Sequence, residues 1–531
     1  MALQWLSLIG TIWLQCITGT NTNFPAYSTQ LKKILSLSQT QLNNLAFASD
    51  AGKLLGWISG IAASYLPLWL VLFIGSSLGL IGYGVQFLFL ADKISSLSYV
   101  HIFLLTMLAG NSICWLNTVC YIVTIKNFPL DRQLAVGIST SYVGLCAKIF
   151  TDIVDVVNTS SASSRAENYL LLNAILPLIV CFFSAPLLRE LNLAKSRNLV
   201  GGFVCLFVIT IVTGSYAVIS SLDAPFVNKL PNLVDVIVMG VLLVAPLLVP
   251  AAEKIRETMQ KKCWVRREMR VHAILPEQEI VASGSSTSFP SSFMEIESQN
   301  DVAEERGNGR MVCGVGVKEE VGVKVMLKRV DFWLYFFAYF FGATIGLVFL
   351  NNLGQIAESR GSSATSSLVS LSSAFSFFGR LIPSLLDFCS SKKKTKISRP
   401  ALITTMMAPM AGAFFLLINK GNIFLHISTS IVGISTGAIT SIAVSTTTEL
   451  FGTKKFGINH NVLVANIPIG SYLFGDLAAL LYNRAGNKDG SCIGVKCYET
   501  TFIIWGCLCS FGTFLAFILH ARTRKFYSQI A

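Results

Sequence analysis

Apolar stretches of about membrane-spanning length, separated by short polar ones, recur along almost the whole chain. A helix needs roughly 20 residues to cross the roughly 30 Å of hydrocarbon in a bilayer. Because each unpaired backbone group in lipid costs several kcal/mol, such stretches are predicted to be helices, and they lack the alternating pattern of a membrane barrel. Fourteen helices are predicted, at 3–20, 41–64, 66–90, 99–125, 130–156, 168–189, 199–220, 232–250, 330–351, 364–388, 400–418, 423–445, 456–482 and 500–520.

The composition places the chain among integral membrane proteins. Of its 531 residues, 53% are hydrophobic and 13% are charged, whereas about a quarter of the residues in a soluble domain are charged. A soluble core of this size could not hold so many apolar residues, since its surface must stay wet. The first apolar stretch is predicted to be a retained helix rather than a secretory signal, because Met1 to Leu14 contain no Lys or Arg.

Basic residues predict how the helices are oriented. If the N-terminus is cytosolic, about 28 of the 41 Lys and Arg residues lie in cytosolic loops and about 10 lie outside, as the positive-inside rule requires. An even number of helices then places both termini in the cytosol, with the protein in the plasma membrane or an endomembrane. The net charge of +13 is therefore an orientation signal, and no nucleic acid is expected as a partner.

The polar segment 251–328 divides the chain. It is charged and rich in serine, which is typical of a largely disordered cytosolic loop. Its basic beginning fits either contact with anionic headgroups or a solvated charge run that follows the positive-inside rule. We therefore predict an N-terminal half (1–190), two additional helices (191–250), this cytosolic loop (251–328) and a C-terminal half (329–531).

A short internal repeat links the two halves. Gly52-Lys53-Leu54 in the second predicted helix aligns with Gly379-Arg380-Leu381 in the tenth at an offset of 327 residues. Parallel repeats of this kind relate the two halves of major facilitator transporters. The repeat therefore predicts an all-α membrane protein in which two six-helix bundles are separated by two extra helices.

Longer motifs carry a family resemblance. The stretch from Gly379, with Arg380, Asp387 and Lys392-Lys393, is similar to the second-half loop motif of major facilitators, and Gly52-Lys53-Leu54 is a degraded first-half copy. Three more specific pieces are Asp50-Ala-Gly-Lys-Leu-Leu-Gly-Trp57, Gly110-Asn-Ser-Ile-Cys-Trp115 and Asn351-Asn-Leu-Gly-Gln-Ile-Ala-Glu-Ser359. Over nearly its whole length the chain resembles the plant nodulin-like transporters, in particular the nuclear-fusion-defective group.

This resemblance implies the major facilitator fold and secondary transport of a small solute by alternating access about a midplane site. It also implies a gating motif at Gly52, Gly379, Arg380 and Asp387 that controls closure on the cytosolic side. The likeness of this family to monocarboxylate and oxalate–formate porters implies a small organic anion as the solute. Many relatives have glycine where Gln133 stands, so the sub-branch, and with it the substrate, is left open.

Charged side chains inside predicted helices are candidates for the transport pathway. A charge near the bilayer centre costs at least about 2.5–3.5 kcal/mol, so it should face the bundle interior and have a partner. Asp50 and Lys53 are one turn apart, which fits a pair that binds substrate or a proton, or one that only holds helices together. Lys148 and Asp152, at i,i+4, fit either an anion-attracting cation or a self-satisfied local pair. Asp50 is the candidate for proton coupling.

Four uncharged amides are further candidates for the pathway: Asn117, Asn352, Gln355 and Asn466. An amide is costly to bury without hydrogen-bond partners, so each of these side chains should have a defined role. They fit either the orientation of a substrate or hydrogen bonds between helices.

The predicted outside loops contain two covalent-modification candidates. The sequon that begins at Asn158 fits either N-glycosylation or a chance match. Cys492 and Cys497 share the last outside loop, where an oxidising compartment would allow them to pair. No spacing among the thirteen cysteines fits a zinc site, so neither a metal nor a cofactor is expected.

Enzyme classes are excluded on motif grounds, because the sequence has no Walker loop and no HEXXH run. The expected partners are a small solute, the lipid bilayer and a candidate cytosolic protein that binds residues 251–328. The competing hypothesis is a receptor or scaffold that keeps the facilitator fold, does not transport, and signals through that loop.

Overall fold

A computed structural model of the chain describes residues 2–157, 162–191, 199–221, 231–259, 319–361, 365–392, 397–486 and 492–530. Helices make up most of the described residues, and no strand occurs among them. In chain order they are α1 (Ala2–Thr18, continued by Phe24–Ile34), α2 (Gln39–Ala51, continued by Gly56–Tyr65), α3 (Leu68–Leu90), α4 (Tyr99–Asn127), α5 (Arg132–Val157), α6 (Ala162–Ser184), α7 (Val200–Ser221), α8 (Asn232–Met259), α9 (Val330–Asn351), α10 (Thr365–Lys392), α11 (Arg399–Leu416), α12 (Asn422–Phe451), α13 (Phe456–Ala485) and α14 (Glu499–Ile530). Two short helices, Val323–Met326 and Leu353–Ser359, flank α9.

Eleven helices in the described part of the chain are long and apolar enough to cross a membrane, while α1, α2 and α11 are shorter or interrupted. A helix lies at each of the fourteen predicted positions, but the count of fourteen membrane spans stays a prediction. Several bounds differ clearly from the predicted ones. α6 begins at Ala162 rather than at 168, α12 continues past 445 to Phe451, and α14 continues past 520 to Ile530. α8 continues past 250 to Met259, so the first part of the segment 251–328 is helical.

The first helix is longer than the apolar pattern predicts. After a 3-10 turn at Thr20–Asn23 the chain continues as a helix to Ile34, where a loop was expected. The polar residues of the turn find partners on neighbouring helices. Asn23 Nδ2 donates to Asn173 Oδ1 at 2.8 Å, and the Tyr83 hydroxyl donates to Thr20 Oγ1 at 3.1 Å. Because these hydrogen bonds form inside the bundle, the polar turn can be buried and the helix can continue beyond it.

The second helix is also interrupted, by a 3-10 turn at Gly52–Leu55, and α4 causes the interruption. At this crossing a Cβ on Gly110 would lie 1.8 Å from Ser49 O, and one on Gly52 would lie 2.2 Å from Met107 O. Only glycine at both positions allows the two backbones to come so close. Asn111 Nδ2 then donates to Gly52 O at 2.8 Å and so satisfies a carbonyl within the interruption.

Helices of the N-terminal and C-terminal parts pack on one another in a repeated arrangement. α2 runs along α13, and α5 runs along α10. If α9 to α14 are counted as one half, each pair joins a second helix to a fifth. The helices α7 and α8 lie beside the α5–α10 seam: α7 packs against α10, and Trp13 Nε1 of α1 donates to Leu243 O of α8 at 2.9 Å.

Both described chain ends lie on one side of the bundle, which we call the terminal face. Gln4 Nε2 donates to Asn127 O at the end of α4 at 2.7 Å, and Tyr527 donates to Glu449 Oε2 at the end of α12 at 3.0 Å. Ile125 and Phe456 pack in one small cluster that joins the two halves at this face. The other side is called the far face.

The halves touch near both faces. Near the terminal face, a Cβ on Gly60 of α2 would lie 2.7 Å from the carbonyl carbon of Gly457 on α13. Ser384 Oγ of α10 donates to Gln133 O of α5 at 2.9 Å. Near the far face, Asn43 Nδ2 of α2 donates to Gly475 O of α13 at 3.3 Å. The space between the halves is therefore closed at both ends in this structure.

Glu320 fixes the chain just before α9 to the turn between α12 and α13. Its carboxylate accepts hydrogen bonds from Thr453 N and Lys454 N, both at 3.0 Å. Val321 N donates to Phe451 O at 3.1 Å in the same contact. Partial burial acts to raise the pKa of Glu320, but these hydrogen bonds outweigh it and hold the pKa below its ordinary value. The carboxylate therefore stays charged at neutral pH.

The contact between Gly60 and Gly457 gives a prediction about closure. Gly60→Val should push the terminal ends of α2 and α13 apart, because a Cβ there meets backbone that cannot move aside. Cys114, which lines the closed space, should then react several times faster with a maleimide, measured on its peptide by mass spectrometry.

The matched control is Gly412→Val, because Gly412 lies in a helix and a Cβ there meets nothing within 4 Å. Its Cys114 should react at the wild-type rate. A folded Gly60→Val variant that labels no faster than the control would contradict the assignment of this contact as a seal.

Candidate substrate site

A cavity of about 110 Å³ lies between the two halves. Its lining comes from α1, α2, α4, α5, α9, α10, α12 and α13, so no single half forms it. Most of the lining residues have polar side chains: Thr18, Asn21, Thr22, Lys53, Asn117, Tyr121, Tyr339, Arg380, Thr440, His460 and Asn461. Polar groups that converge at an interface between two halves are typical of a small-molecule site, and the cavity is smaller than the roughly 300–1,000 Å³ of a pocket for a drug-sized ligand.

Arg380 lines the cavity, and no neighbouring carboxylate among the described residues compensates its positive charge. It lies near the middle of α10 and also borders a second cavity of about 50 Å³. Its Nε atom is buried, and no hydrogen bond or ion pair to its guanidinium occurs among the described residues. A guanidinium keeps its charge in proteins, so a positive charge without a counter-ion faces the cavity.

Lys53, in contrast, is neutralised by its neighbour on α2. Its Nζ lies 2.6 Å from Asp50 Oδ1, and both side chains are buried, with relative exposures of 6% and 1%. Asn351 Nδ2 of α9 donates to Asp50 Oδ2 at 3.3 Å. The ion pair on α2 is thus bonded to the other half of the molecule, at the edge of the cavity.

The structure shows where the residues of the gating motif lie, while their role in closure stays a prediction. Gly52 and Gly379 lie near the middle of their helices, because these helices begin at Gln39 and Thr365 and continue well past the glycines. Their neighbours Lys53 and Arg380 line the cavity rather than the cytosolic closure. A Cβ on Gly379 would lie 2.1 Å from Ile434 O, so this glycine allows a close helix crossing.

Asp387 is the one member of that motif near the terminal face. It accepts an ion pair from Arg399 Nη2 of α11 at 3.1 Å, while Arg399 Nε donates to Glu449 Oε1 of α12 at 3.0 Å. Arg399 of α11 therefore links Asp387 of α10 to Glu449 of α12, and all three helices belong to one half. Its contacts are those of a structural residue rather than of the cavity.

Lys148 and Asp152 form a buried ion pair of 2.5 Å on α5, but neither residue lines the cavity. They face the helices α7 and α8 instead, where Asp235 of α8 approaches Lys148 Nζ at 4.0 Å. The structure thus separates this pair from the Asp50–Lys53 pair, although both were predicted to belong to one pathway.

The four predicted amides have different surroundings. Asn117 lines the cavity, and its Oδ1 atom is buried without a hydrogen-bond partner among the described residues. Asn466 joins α13 to α9, since its side chain accepts a hydrogen bond from Thr344 Oγ1 at 3.0 Å and donates one to Phe336 O at 3.3 Å. Asn352 donates to Val348 O of its own helix, and Gln355 is buried beside it, outside the cavity.

Eight polar residues of the lining were not among the predicted ones: Thr18, Asn21, Thr22, Tyr121, Tyr339, Thr440, His460 and Asn461. The rings of Tyr121 and His460 meet edge to face at 5.6 Å. The spacing of Cys114, Asn117 and Tyr121 places them on one face of α4, so helical periodicity around Asn117 would have found Tyr121. His460 lies only one turn inside α13, and nothing in its local sequence shows that it reaches the cavity.

The structure describes some, but not all, of the residues that were predicted to lie in loops. Cys492 and Cys497 are joined in a disulfide. Asn158 lies outside the described residues, and so do residues 260–318 of the long loop, which include most of the candidate partner-binding segment. Within the described ranges no group of His, Cys, Asp and Glu is placed to hold a metal ion.

Comparisons with known proteins add the family. A profile described as Nodulin-like matches residues 4–251, and one described as NFD4, C-terminal domain, matches residues 314–529. Protein NUCLEAR FUSION DEFECTIVE 4 of Arabidopsis thaliana is 37% identical over 545 residues, which cover 99% of this chain and 90% of that protein. The chain belongs to the nodulin-like NFD4 family.

Further likenesses give the fold of this NFD4-family protein. The proton:xylose symporter XylE superposes with a TM-score of 0.55 at 11% identity, over 96% of this chain and 94% of that chain. The structure of tetrameric PepTSo2 gives a TM-score of 0.53 at 12% identity, over 99% of this chain and 100% of that chain. Probable transporter MCH1 of Yarrowia lipolytica is 26% identical over 204 residues, 35% of this chain and 41% of that protein. The protein is therefore a multi-pass membrane protein of the major facilitator fold, and transport is the activity indicated.

The motif pieces that resemble the NFD4 family have physical roles here. Gly110 allows the crossing with α2, and the next residue, Asn111, binds Gly52 O. Trp115 Nε1 donates to Asn111 Oδ1 at 2.9 Å and so fixes the orientation of that amide. Asn351 reaches across to Asp50. These pieces build the wall of the cavity at which α2, α4 and α9 meet.

The Asp50–Lys53 pair gives a prediction about stability. Asp50→Ala leaves the Lys53 ammonium buried without its partner, which should lower the free energy of unfolding by about 3–5 kcal/mol. Thermal unfolding in lipid nanodiscs measures the change. The double variant Asp50→Asn/Lys53→Met has no buried charge at this position and should recover most of the lost stability. A single variant as stable as the wild type would show that the pair is not buried in the membrane.

Proposed function

We propose that this NFD4-family protein is a secondary transporter that moves a small organic anion across the membrane by alternating access. One observation carries the proposal: the guanidinium of Arg380 faces the cavity between the two halves and has no counter-ion among the described residues. An anion bound in the cavity would supply the missing negative charge. In a site shielded from water, that interaction is much stronger than at a surface.

The charges around the cavity favour one negative charge on the solute. Lys53 and Asp50 cancel, so Arg380 leaves the described lining with a single uncompensated positive charge. A carboxylate can accept two parallel hydrogen bonds from a guanidinium. The hydroxyls of Tyr121 and Tyr339 and the amide of Asn117 line the cavity and are available for the rest of a small polar molecule. A small carboxylic acid in its anionic form fits this set.

The packing of the helices supports alternating access. The pairing of α2 with α13 and of α5 with α10 is what two six-helix halves related by an axis along the membrane normal would produce, with α7 and α8 as the added pair. Contacts close both ends of the cavity, which fits an occluded intermediate. We assign the terminal face to the cytosol, because the basic loops lie on that side.

Asp50 is the proposed site of proton coupling. When Asp50 is charged, it neutralises Lys53, and its bond with Asn351 links the halves. A proton on Asp50 would free Lys53 to bind the solute together with Arg380 and would weaken the link to α9. Binding of a proton and of an anion would then favour each other, as cotransport requires.

The comparisons support transport more than the receptor or scaffold hypothesis. The partial relative MCH1 is described as a probable transporter, and the structural neighbour XylE is described as a proton:xylose symporter. A cavity with an unpaired cation has no evident use in a scaffold. The loop on which the competing hypothesis depends lies mostly outside the described residues.

The proposal predicts that small carboxylates bind and that Arg380→Gln no longer binds them. The purified protein should be stabilised against heat by one or more small carboxylates in a panel that also contains sugars and neutral amino acids. A ligand at about 100 times its Kd adds about 2.7 kcal/mol to the free energy of unfolding. Arg380→Gln should abolish the stabilisation and the uptake of the same carboxylate into proteoliposomes.

The matched control is Arg189→Gln, which removes an exposed arginine at the terminal face. It should keep wild-type binding and uptake. Asp50→Asn should take up the carboxylate at a rate that no longer responds to a pH gradient. An Arg380→Gln variant that binds and transports like the control would overturn the anion site, and uptake by Asp50→Asn that follows pH as in the wild type would overturn the coupling role.

A further inference from the structure

A second group of buried charges lies away from the cavity, where α5 meets α7 and α8. Lys148 Nζ is 2.5 Å from Asp152 Oδ1 on α5 and 4.0 Å from Asp235 Oδ2 on α8. Tyr216 of α7 donates its hydroxyl hydrogen to Asp235 Oδ1. One cation therefore faces two carboxylates from two helices, and a third helix contributes a hydroxyl group.

The surrounding described residues do not supply the second positive charge. Asp155 of α5 is paired with Arg165 of α6 at 2.8 Å, so these two charges cancel. Tyr169 of α6 donates to Thr151 Oγ1 at 2.9 Å and is neutral. The 3-10 turn of α1, which packs on the same part of α5, has no ionisable residue, and Arg380 of α10 faces the cavity. Among the described residues the cluster has one more negative than positive charge.

Asp152 also has an atom without a partner. Its side chain is only 9% exposed, and Oδ2 is buried with no hydrogen bond among the described residues. A buried polar atom left in this way costs about 1–3 kcal/mol, and more if the group is charged. Protonation of the carboxyl group would remove the excess charge and replace a bare oxygen with a hydroxyl donor.

A proton fits this cluster better than a metal ion. A metal ion would lie next to the Lys148 ammonium, and like charges a few ångströms apart in a medium of low dielectric constant repel strongly. Calcium and magnesium also need about six oxygen ligands, more than this cluster offers. The part of the chain that the structure describes contains no set of side chains placed to hold a metal ion.

We propose that Asp152 and Asp235 together bind one proton, at a site separate from the transport cavity, and that this proton allows α8 to pack against α5. Asp235 lies in the first turn of α8, where the helix N-terminus favours a carboxylate. The proton therefore resides mainly on Asp152. With the proton bound, Lys148 balances one carboxylate; without it, an excess negative charge acts between the two helices.

The site gives the two added helices a role that neither half provides. Asp235 and Tyr216 belong to α8 and α7, whereas Lys148 and Asp152 belong to α5, which forms a seam with α10. Asp235 is 19% exposed, near the far face, so a proton has a short path from that side. Loss of the proton would loosen the added pair from α5 without any change in the charges that line the cavity.

The test is an infrared titration of the purified protein in nanodiscs between about pH 5 and about pH 9, a range that lies above the ordinary pKa of aspartic acid, about 3.9. The wild type should show a protonated-carboxyl band that is lost on titration. Asp152→Asn and Asp235→Asn should each remove the same band, because either change leaves Lys148 facing a single carboxylate. Asp155→Asn, which changes an acid outside the cluster, should keep it.

The effect of Asp235→Asn decides the proposal, because this variant leaves Asp152 itself in place. If its spectrum keeps the band that Asp152→Asn loses, the two residues do not share a proton and the proposal is wrong. Absence of the band from the wild type throughout the titration would have the same meaning. The titration is run in choline and in sodium, and a band lost in sodium alone would show a metal-ion site instead. No transported solute is needed, so failure of the anion proposal would not affect this result.

Thermal unfolding provides a second measurement if Asp152→Asn folds poorly. A proton that the folded state holds and the unfolded state releases stabilises the protein most at low pH, and this stability falls as the pH rises through the titration of the site. The wild type should therefore melt at a lower temperature at about pH 9 than at about pH 6, with a larger difference than in Asp235→Asn. Equal pH dependence in both proteins would count against the shared proton.

Discussion

A charge or a free backbone carbonyl has no water to bind inside a bilayer, and the helices of this protein are arranged around that constraint. The interruption of α2 is tolerated because Asn111 of α4 binds the carbonyl of Gly52. The interruption of α1 is tolerated because its polar turn bonds to α3 and α6. Among the buried side-chain atoms without a hydrogen-bond partner in the described residues, Arg380 Nε and Asp152 Oδ2 belong to ionisable groups beside the two sites proposed above. In each proposal a bound group, an anion or a proton, compensates the buried charge.

Local sequence features predicted the parts of the fold that depend on single helices. The apolar stretches located the helices, and i,i+3 and i,i+4 spacing predicted both ion pairs on α2 and α5. The continuation of α1 to Ile34 was missed because its polar residues are satisfied by Asn173 and Tyr83, far away in the sequence. A hydropathy pattern contains no information about such partners.

The composition of the site was harder to predict for the same reason. A spacing shows that two residues share a helix face, but not what that face meets. The sequence therefore grouped Lys148 with Asp50, although one pair faces the added helices and the other the cavity. The repeat of Gly52-Lys53 in Gly379-Arg380 singled out two positions near the middle of their helices, and Lys53 and Arg380 both line the cavity. The gating role that the family motif implies stays a prediction. His460 was missed because its position near the start of α13 gave no sign of the cavity.

α5 connects the two charged regions. Val143, in its 3-10 turn, lines the cavity, and Lys148 lies five residues further along, roughly 7.5 Å at the helical rise. The same helix also forms the seam with α10. A change in how the added helices pack on α5 would therefore act on a helix that borders both the solute and the interface between the halves.

Glu320 attaches the end of the long loop to a part of the protein that can transmit a force to the contact between the halves. Its carboxylate is bonded to the turn that leads from α12 into α13, and α13 is the helix whose Gly457 seals the terminal face against α2. A force that pulls on the preceding loop would therefore act on the start of α13. It would not act first on α9, the helix that follows Glu320 directly in the chain. Through Thr453 and Lys454, in the four-residue turn 452–455, a pull on the loop would therefore act on the contact between Gly457 and Gly60.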